Sequence, residues 1–400
     1  MTASTLDPNG PQPYSVEIPE AEELIERANV LTEPIARFAD YHQEHRTVHP
    51  DVIEMIQQAG LFRVLRPKRW GGYEMCPTVA AEVQFALAKA DHSVGWVFGV
   101  LSVHAFEMAL FPDQACADVY GHNDEALICS SFQPGGNAVA TEGGFLFNGR
   151  WRFASGSNHA DWCFLGGHRE DGFITCLIPR EEYELVDTWF TPGLRGTGSQ
   201  DMIVANRVIP EHRIHAAIDG FHCDSPGNAV NTGLLYRLPF HQVFIRGITN
   251  SSIGALDGMI DAYIDYITQR VTVYGTKAGE DPDVQQALGE AMLTSRQLKA
   301  ELRANYAELS EYARRGEAPP FDLRLLTKLG AASVADRCRE AAQRLFECTG
   351  GHGLFERNTP FGRQYIDMIS AKQHIAAQNH TTARNTGALA LGLDSGEFYL

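Results

Sequence analysis

Residues 147–162 read Phe147-Asn-Gly-Arg-Trp151-Arg-Phe-Ala-Ser155-Gly-Ser-Asn-His-Ala-Asp-Trp162, and this stretch decides the fold. Asn148-Gly149 and, just upstream, Thr141-Glu-Gly-Gly144 are hairpin signals, because the turns that match strand twist need residues tolerant of positive φ. Aromatic residues interleaved with small and polar ones between such turns read as strand. Large flat side chains beside hydroxyl donors would suit a flat heteroaromatic cofactor, with ring faces in contact and hydroxyls bonding its edge. The plainer reading is a hairpin core with serine turns, which composition alone favours.

The same texture extends outward through Ala126–Phe132, Asn137–Thr141, Gly144–Asn148, Trp151–Ala154, Trp162–Gly166, Phe173–Pro179 and Met202–Ile209, predicting a small antiparallel domain. Helical periodicity surrounds it. Leu24, Ile25, Ala28, Leu31, Ile35 and Phe38 share one face. Pro50 opens a short helix that Gly60 closes, and another runs from about Thr78 to Ala90. Gly95 to Phe111 is apolar nearly all round and stops at Pro112, so it predicts a buried central helix. After a Gly-, Asn- and Pro-rich linker at 220–238, long helices are expected over 240–274, 282–315, 321–348 and 361–391, punctuated by Pro282, Pro319-Pro320 and Pro360. The fold class is therefore α+β, mainly α: a helical domain (18–122), a β-barrel-like domain (123–215) and a C-terminal four-helix bundle (240–400).

The 400 residues are 44% hydrophobic and 21% charged with a net charge of −17, so a large core is affordable and a nucleic-acid partner is not expected. No apolar run approaches membrane-spanning length, and the leader MTASTLDPNGPQPYSVEIPE lacks a signal pattern and reads as disordered. Eight cysteines without a Cys-x-x-Cys pair point to reduced thiols in a cytoplasmic protein rather than to zinc or disulfides. Gly-x-x-x-x-Gly-Lys, Gly-x-Gly-x-x-Gly and Gly-x-Ser-x-Gly are absent, which weakens nucleotide-phosphate and hydrolase readings. His42/His45/His49 and His212/His215/His222 lack the carboxylate partners of a catalytic metal. Met368 to Leu393 holds no Asp or Glu, where about three are expected; its ionisable groups are Lys372, His374, His380 and Arg384.

Several motifs in one order carry a family resemblance. Phe147 to Gly156, Leu177-Ile-Pro-Arg-Glu-Glu-Tyr-Glu184, Leu194-Arg-Gly-Thr-Gly-Ser199, Gly71-Gly72 after Trp70, Gly95-Trp96 and the His104…Phe111-Pro112 segment resemble the oxygenase components of two-component flavin-dependent phenol monooxygenases. That family has the acyl-CoA dehydrogenase fold, and its steroid-ring and 4-hydroxyphenylacetate hydroxylases look closest. The resemblance spans about residues 20–393. It implies reduced FMN or FAD delivered by a separate NAD(P)H:flavin reductase, O2 as co-substrate, a C4a-hydroperoxyflavin, a small aromatic substrate and a homotetramer.

It further implies roles by motif. His104 on the central helix and Ser130 on the first strand engage the phenol; Ser155 sits by flavin N5; His374, on the last long helix, faces the oxygenated edge. Trp151, Arg246, Gly350 and Gly351 fall at cofactor positions. His104 is expected to accept or share the phenol proton, since imidazole titrates near working pH. Arg363-Gln-Tyr-Ile-Asp367…Lys372-Gln-His374 departs from the family's Arg-aromatic-Trp-Arg-Asp…Arg-x-His at Tyr365, Ile366 and Lys372. His380 is the rival of His374 until helix phase is known, and a helix cap explains Gly350-Gly351 equally well. Three other functions stay open. An acyl-CoA dehydrogenase needs a carboxylate base, with Ile375 at its usual place and Asp257 or Asp261 as stand-ins. The others are an N-oxygenase of amines and a non-catalytic flavin-fold subunit.

Overall fold

The computed structural model describes residues 17–355 and 360–397; the expected disordered leader lies almost wholly outside them. Seven helices come first: α1 (Ala21–Val30), α2 (Thr32–Ala36), α3 (Ala39–His45), α4 (Pro50–Gln58), α5 (Pro77–Ala90), α6 (His92–Met108) and α7 (Asp113–Tyr120). Every residue of α6 is buried, as an all-round apolar sequence requires. Asp91 caps it, Oδ1 accepting from the backbone N–H of Ser93 and Val94 at 2.8 and 3.3 Å.

Seven strands follow: β1 (Ile128–Thr141), β2 (Gly144–Ala154), β3 (Trp162–Arg169), β4 (Gly172–Pro179), β5 (Glu184–Val186), β6 (Gln200–Ile209) and β7 (Ile214–Ala216). They form one sheet in the order β5-β6-β2-β1-β3-β4-β7. The expectation of a purely antiparallel sheet is corrected, because β1 and β3 pair in parallel. The chain leaves β2 beside the start of β1, crosses to its far side, and sets out again with Trp162 opposite Ile128. Four of the expected segments fuse into β1 and β2, and the three-residue β5 and β7 were not foreseen.

The glycines of this sheet make room for an indole. Trp151 is wholly buried. A Cβ at Gly135, Gly136 or Gly149 would come within 2.9, 2.4 and 2.6 Å of its ring. Its Nε1 donates to the Gly166 carbonyl at 2.6 Å.

The remaining helices are α8 (Ala217–His222), α9 (Phe240–Thr249), α10 (Ser251–Gln269), α11 (Pro282–Arg315), α12 (Phe321–Glu347), α13 (Phe361–Ala371) and α14 (Asn379–Ala390). The helix expected over 240–274 divides at Asn250. The one expected over 361–391 is interrupted by a turn at 372–378. α10 packs along α5, α11 and α12, while α6 lies between β1 and α9. Among the described residues no helix is long and apolar enough to cross a membrane, no cluster could hold a metal ion, and the cysteines are free.

Candidate active site

Trp96 on α6 is the hub of the site. Its Nε1 donates to Ser155 Oγ at 3.1 Å, and the His374 ring stands edge-on to the indole at 5.4 Å. Two residues far apart in sequence thus meet on one side chain. In the sequence Trp96 was marked only by the Gly95-Trp96 motif, with no role attached. Ile245 and Ile248 of α9, Ala371 and Ala376 belong to the same buried apolar cluster as Trp96.

Ser155 reaches this place through a strand irregularity. The β2–β6 register shifts between Trp151 and Ala154, and Phe153 there adopts φ 64°. A regular strand would put Trp151 and Phe153 on one face. The bulge separates them, leaving Trp151 in the core and Phe153 55% exposed, its ring 6.3 Å from Trp189. Trp151, expected at the cofactor, is therefore a core residue, and Phe153 is the flat ring offered outward.

Behind Ser155 runs a chain of hydroxyls. Ser155 Oγ lies 2.7 Å from Ser199 Oγ, which lies 2.7 Å from Thr197 Oγ1, and Thr197 donates to the Leu194 carbonyl at 2.9 Å. The Leu194 N–H donates to Asp367 Oδ1 at 2.6 Å, which ties this loop to α13. Burial, together with nearby Asp91, pushes the Asp367 carboxyl up to about 7.

His374 does not sit on a long helix, as expected; it caps the turn between α13 and α14. Its Nδ1 accepts the Ala376 N–H at 3.1 Å. Burial lowers its pKa to about 4, so the ring is neutral and its one proton is on Nε2. The fixed tautomer is a hydrogen-bond donor. His380, in the first turn of α14, is exposed, whereas His374 stands against Trp96.

His104 lies eight residues beyond Trp96, about 12 Å along α6, and is fully buried. Phe132, Phe164 and Phe244 surround its ring at 5.8, 5.4 and 6.1 Å. Ser130 shares the sheet face of Phe132 and pairs directly with Phe164, so it joins this enclosure. Its neighbour Glu107 was missed in the sequence: Nδ1 of His104 and Oε2 of Glu107 are 2.9 Å apart. Glu at i+3 on an apolar helix was the available signal. Burial raises Glu107 well above the ordinary carboxylate range and lowers His104 to about 3. Burial thus favours the uncharged form of each group, in which Glu107 donates to Nδ1 and the proton of His104 lies on Nε2. That nitrogen has no partner among the described residues. In this tautomer His104 presents its Nε2–H as a donor.

Three expected residues remain: Arg246, Gly350 and Gly351. Arg246 is buried on α9, and none of its guanidinium nitrogens finds a hydrogen-bond partner among the described residues; Tyr306 and Glu301 are the polar groups nearest in influence. Gly350 adopts φ 66°, ψ −166°, open to glycine alone and unlike a left-handed helix cap. The Arg270 guanidinium sits over it, 2.4 Å from where a Cβ would stand. Asp257 is held by Ser295 and Lys299, and Asp261 by Lys89. Both stand-ins for a dehydrogenase base are thus engaged elsewhere.

The model of the acyl-CoA dehydrogenase C-terminal domain matches residues 247–379. The chain is 32% identical over 359 residues to the oxygenase subunit HsaA of a flavin-dependent monooxygenase from Rhodococcus jostii, covering 88% of this chain and 94% of that one. It is 30% identical to the oxygenase component of an FADH2-dependent resorcinol hydroxylase from Rhizobium, covering 88% and 90%. The crystal structure of HsaA from Mycobacterium tuberculosis superposes with a TM-score of 0.90 at 28% identity, covering 96% of this chain and all of that one. The chain belongs to the oxygenase components of two-component flavin-dependent monooxygenases built on the acyl-CoA dehydrogenase fold.

Proposed function

We propose that this protein hydroxylates a small phenol with O2, using reduced FMN or FAD handed over by a separate NAD(P)H:flavin reductase. The observation that carries the reading is the arrangement along α6. Trp96 joins Ser155 and His374 at one end, and the unpartnered Nε2 of His104 lies among phenylalanines at the other.

A flavin fits these residues. Its ring edge needs adjacent donor and acceptor groups, which the Nε2–H of His374 and the oxygen of Ser155 offer, and Phe153 offers a ring face. The strained Gly350, with Gly351 and Arg270 beside it, offers bare backbone and a cation to a phosphate. Bound in its reduced form, a flavin would activate O2, one atom of which enters the ring while the other leaves as water. His374 Nε2–H would donate to the oxygenated edge of such a flavin, and the surrounding apolar side chains would exclude water. His104 Nε2–H holds the phenol oxygen, with Ser130 beside it, and Glu107 keeps the imidazole in that tautomer. A phenol that enters as its phenolate, its proton left to solvent, would be the better nucleophile, and this donor would stabilise its charge. The unpartnered guanidinium of Arg246 is assigned a supporting place at the flavin.

The exposed apolar tip at Val273 and Tyr274 supports a homotetramer, and the free thiols support a cytoplasmic setting. The test is anaerobic titration with reduced FMN and FAD, followed by O2 and a panel of phenols with mass detection of product. His104→Ala should keep flavin oxidation and lose most hydroxylation. A wild-type protein that binds no reduced flavin and hydroxylates no phenol sinks the reading.

A further inference from the structure

The hydroxyls of Ser155, Ser199 and Thr197 stand in series from Trp96 to the Leu194 carbonyl. Their separations are 2.7, 2.7 and 2.9 Å. Oxygens this close need a hydrogen between them. Three contacts must therefore be served by three hydroxyl hydrogens. The carbonyl has none to give, so Thr197 donates to Leu194, Ser199 donates to Thr197, and Ser155 donates to Ser199. The direction of the whole chain follows from that count.

The far end is pinned. The Leu194 carbonyl also accepts from Trp189 Nε1 at 2.9 Å, and the Leu194 N–H is held by buried Asp367 at 2.6 Å. At the near end, the hydrogen of Ser155 is committed away from the site, and one of its lone pairs is taken by the indole N–H of Trp96 at 3.1 Å. What remains on Ser155 is a single acceptor direction.

Resting on the flavin reading above, we propose that Thr197 and Ser199 make Ser155 an acceptor-only contact for flavin N5, so that the site selects reduced over oxidised flavin. Reduced flavin carries a hydrogen on N5 and donates it. The oxidised N5 carries only a lone pair, and it meets an oxygen whose own hydrogen points elsewhere. The same polarity that admits the cofactor from the reductase favours its release once it is oxidised. Ser199 and Thr197 are positioning residues here, since they act through Ser155.

The experiment is anaerobic titration of the full-length protein with FMN and FAD, each oxidised and dithionite-reduced, to give the ratio of the two dissociation constants. Thr197→Val keeps the side-chain shape but removes the anchoring hydroxyl, so the chain is free to reverse and Ser155 can donate outward. The preference for reduced flavin should fall about tenfold, one hydrogen bond's worth. Ser199→Ala should lower it similarly, and Thr197→Ser should retain the wild-type ratio. An unchanged ratio in both Thr197→Val and Ser199→Ala, or a wild-type ratio near one, overturns the relay and leaves the flavin site standing. A wild-type protein that binds neither redox form overturns the flavin reading itself.

Discussion

Replacing Glu107 by Gln should make the stability difference between variant and wild type depend on pH. Glu107 is buried against His104 with burial as the cause of its raised pKa. The rings facing the pair belong to Phe132, Phe164 and Phe244, and none carries a charge. In the folded protein the carboxyl keeps its proton well above the ordinary value of 4.5. In the unfolded chain it loses that proton above 4.5, so folding takes one up. Its contribution is complete below the unfolded value and shrinks as pH rises towards the folded one. Each pH unit in that window removes about 1.4 kcal/mol. Glu107→Gln lacks the titrating proton, so it should gain about 1.4 kcal/mol on the wild type between about pH 5 and pH 6, just above the unfolded value. Titration of the unfolded imidazole is common to both proteins and cancels. Urea unfolding of the two at both pH values is the assay. A difference that does not change with pH would refute a protonated Glu107, and with it the donor tautomer of His104.

Trp151→Phe should cost about 2–3 kcal/mol in urea unfolding, because it opens a cavity and strands the Gly166 carbonyl. Gly136→Ala should destabilise by about 1–3 kcal/mol or more, since its Cβ would stand 2.4 Å from the Trp151 ring and 2.7 Å from Phe147; wild-type stability there would refute the packing account. His374→Ala should raise the hydrogen peroxide released per hydroxylated product about tenfold, through loss of one donor, whereas exposed His380→Ala should leave it unchanged. Equal effects at the two histidines would refute the assignment.

Much of the fold was legible because it follows from local pattern. The all-round apolar run became α6 with every residue buried, and the glycine-aromatic texture became the sheet. The parallel pairing of β1 and β3 was not legible, since it depends on which edge of β1 the chain reaches after residue 154. At the site, Ser155 and His374 were marked in the sequence by motif resemblance, but their meeting at Trp96 was not. Glu107 was hidden because a carboxylate on a buried helix has no meaning until its partner nitrogen is seen.

Sequence alone determined the α+β class, the order of helices and strands, the missing carboxylate after Asp367 and the choice of chemistry, because each rests on residue type, spacing or motif. The tertiary structure decided polarity and facing. One bulge at Phe153 sent Trp151 into the core and Ser155 to the site, one turn at 372–378 set the tautomer of His374, and one chain of hydroxyls set the direction of the hydrogen on Ser155. Hydrogen-bond direction depends on every partner in a network at once, and those partners come from segments that only folding brings together.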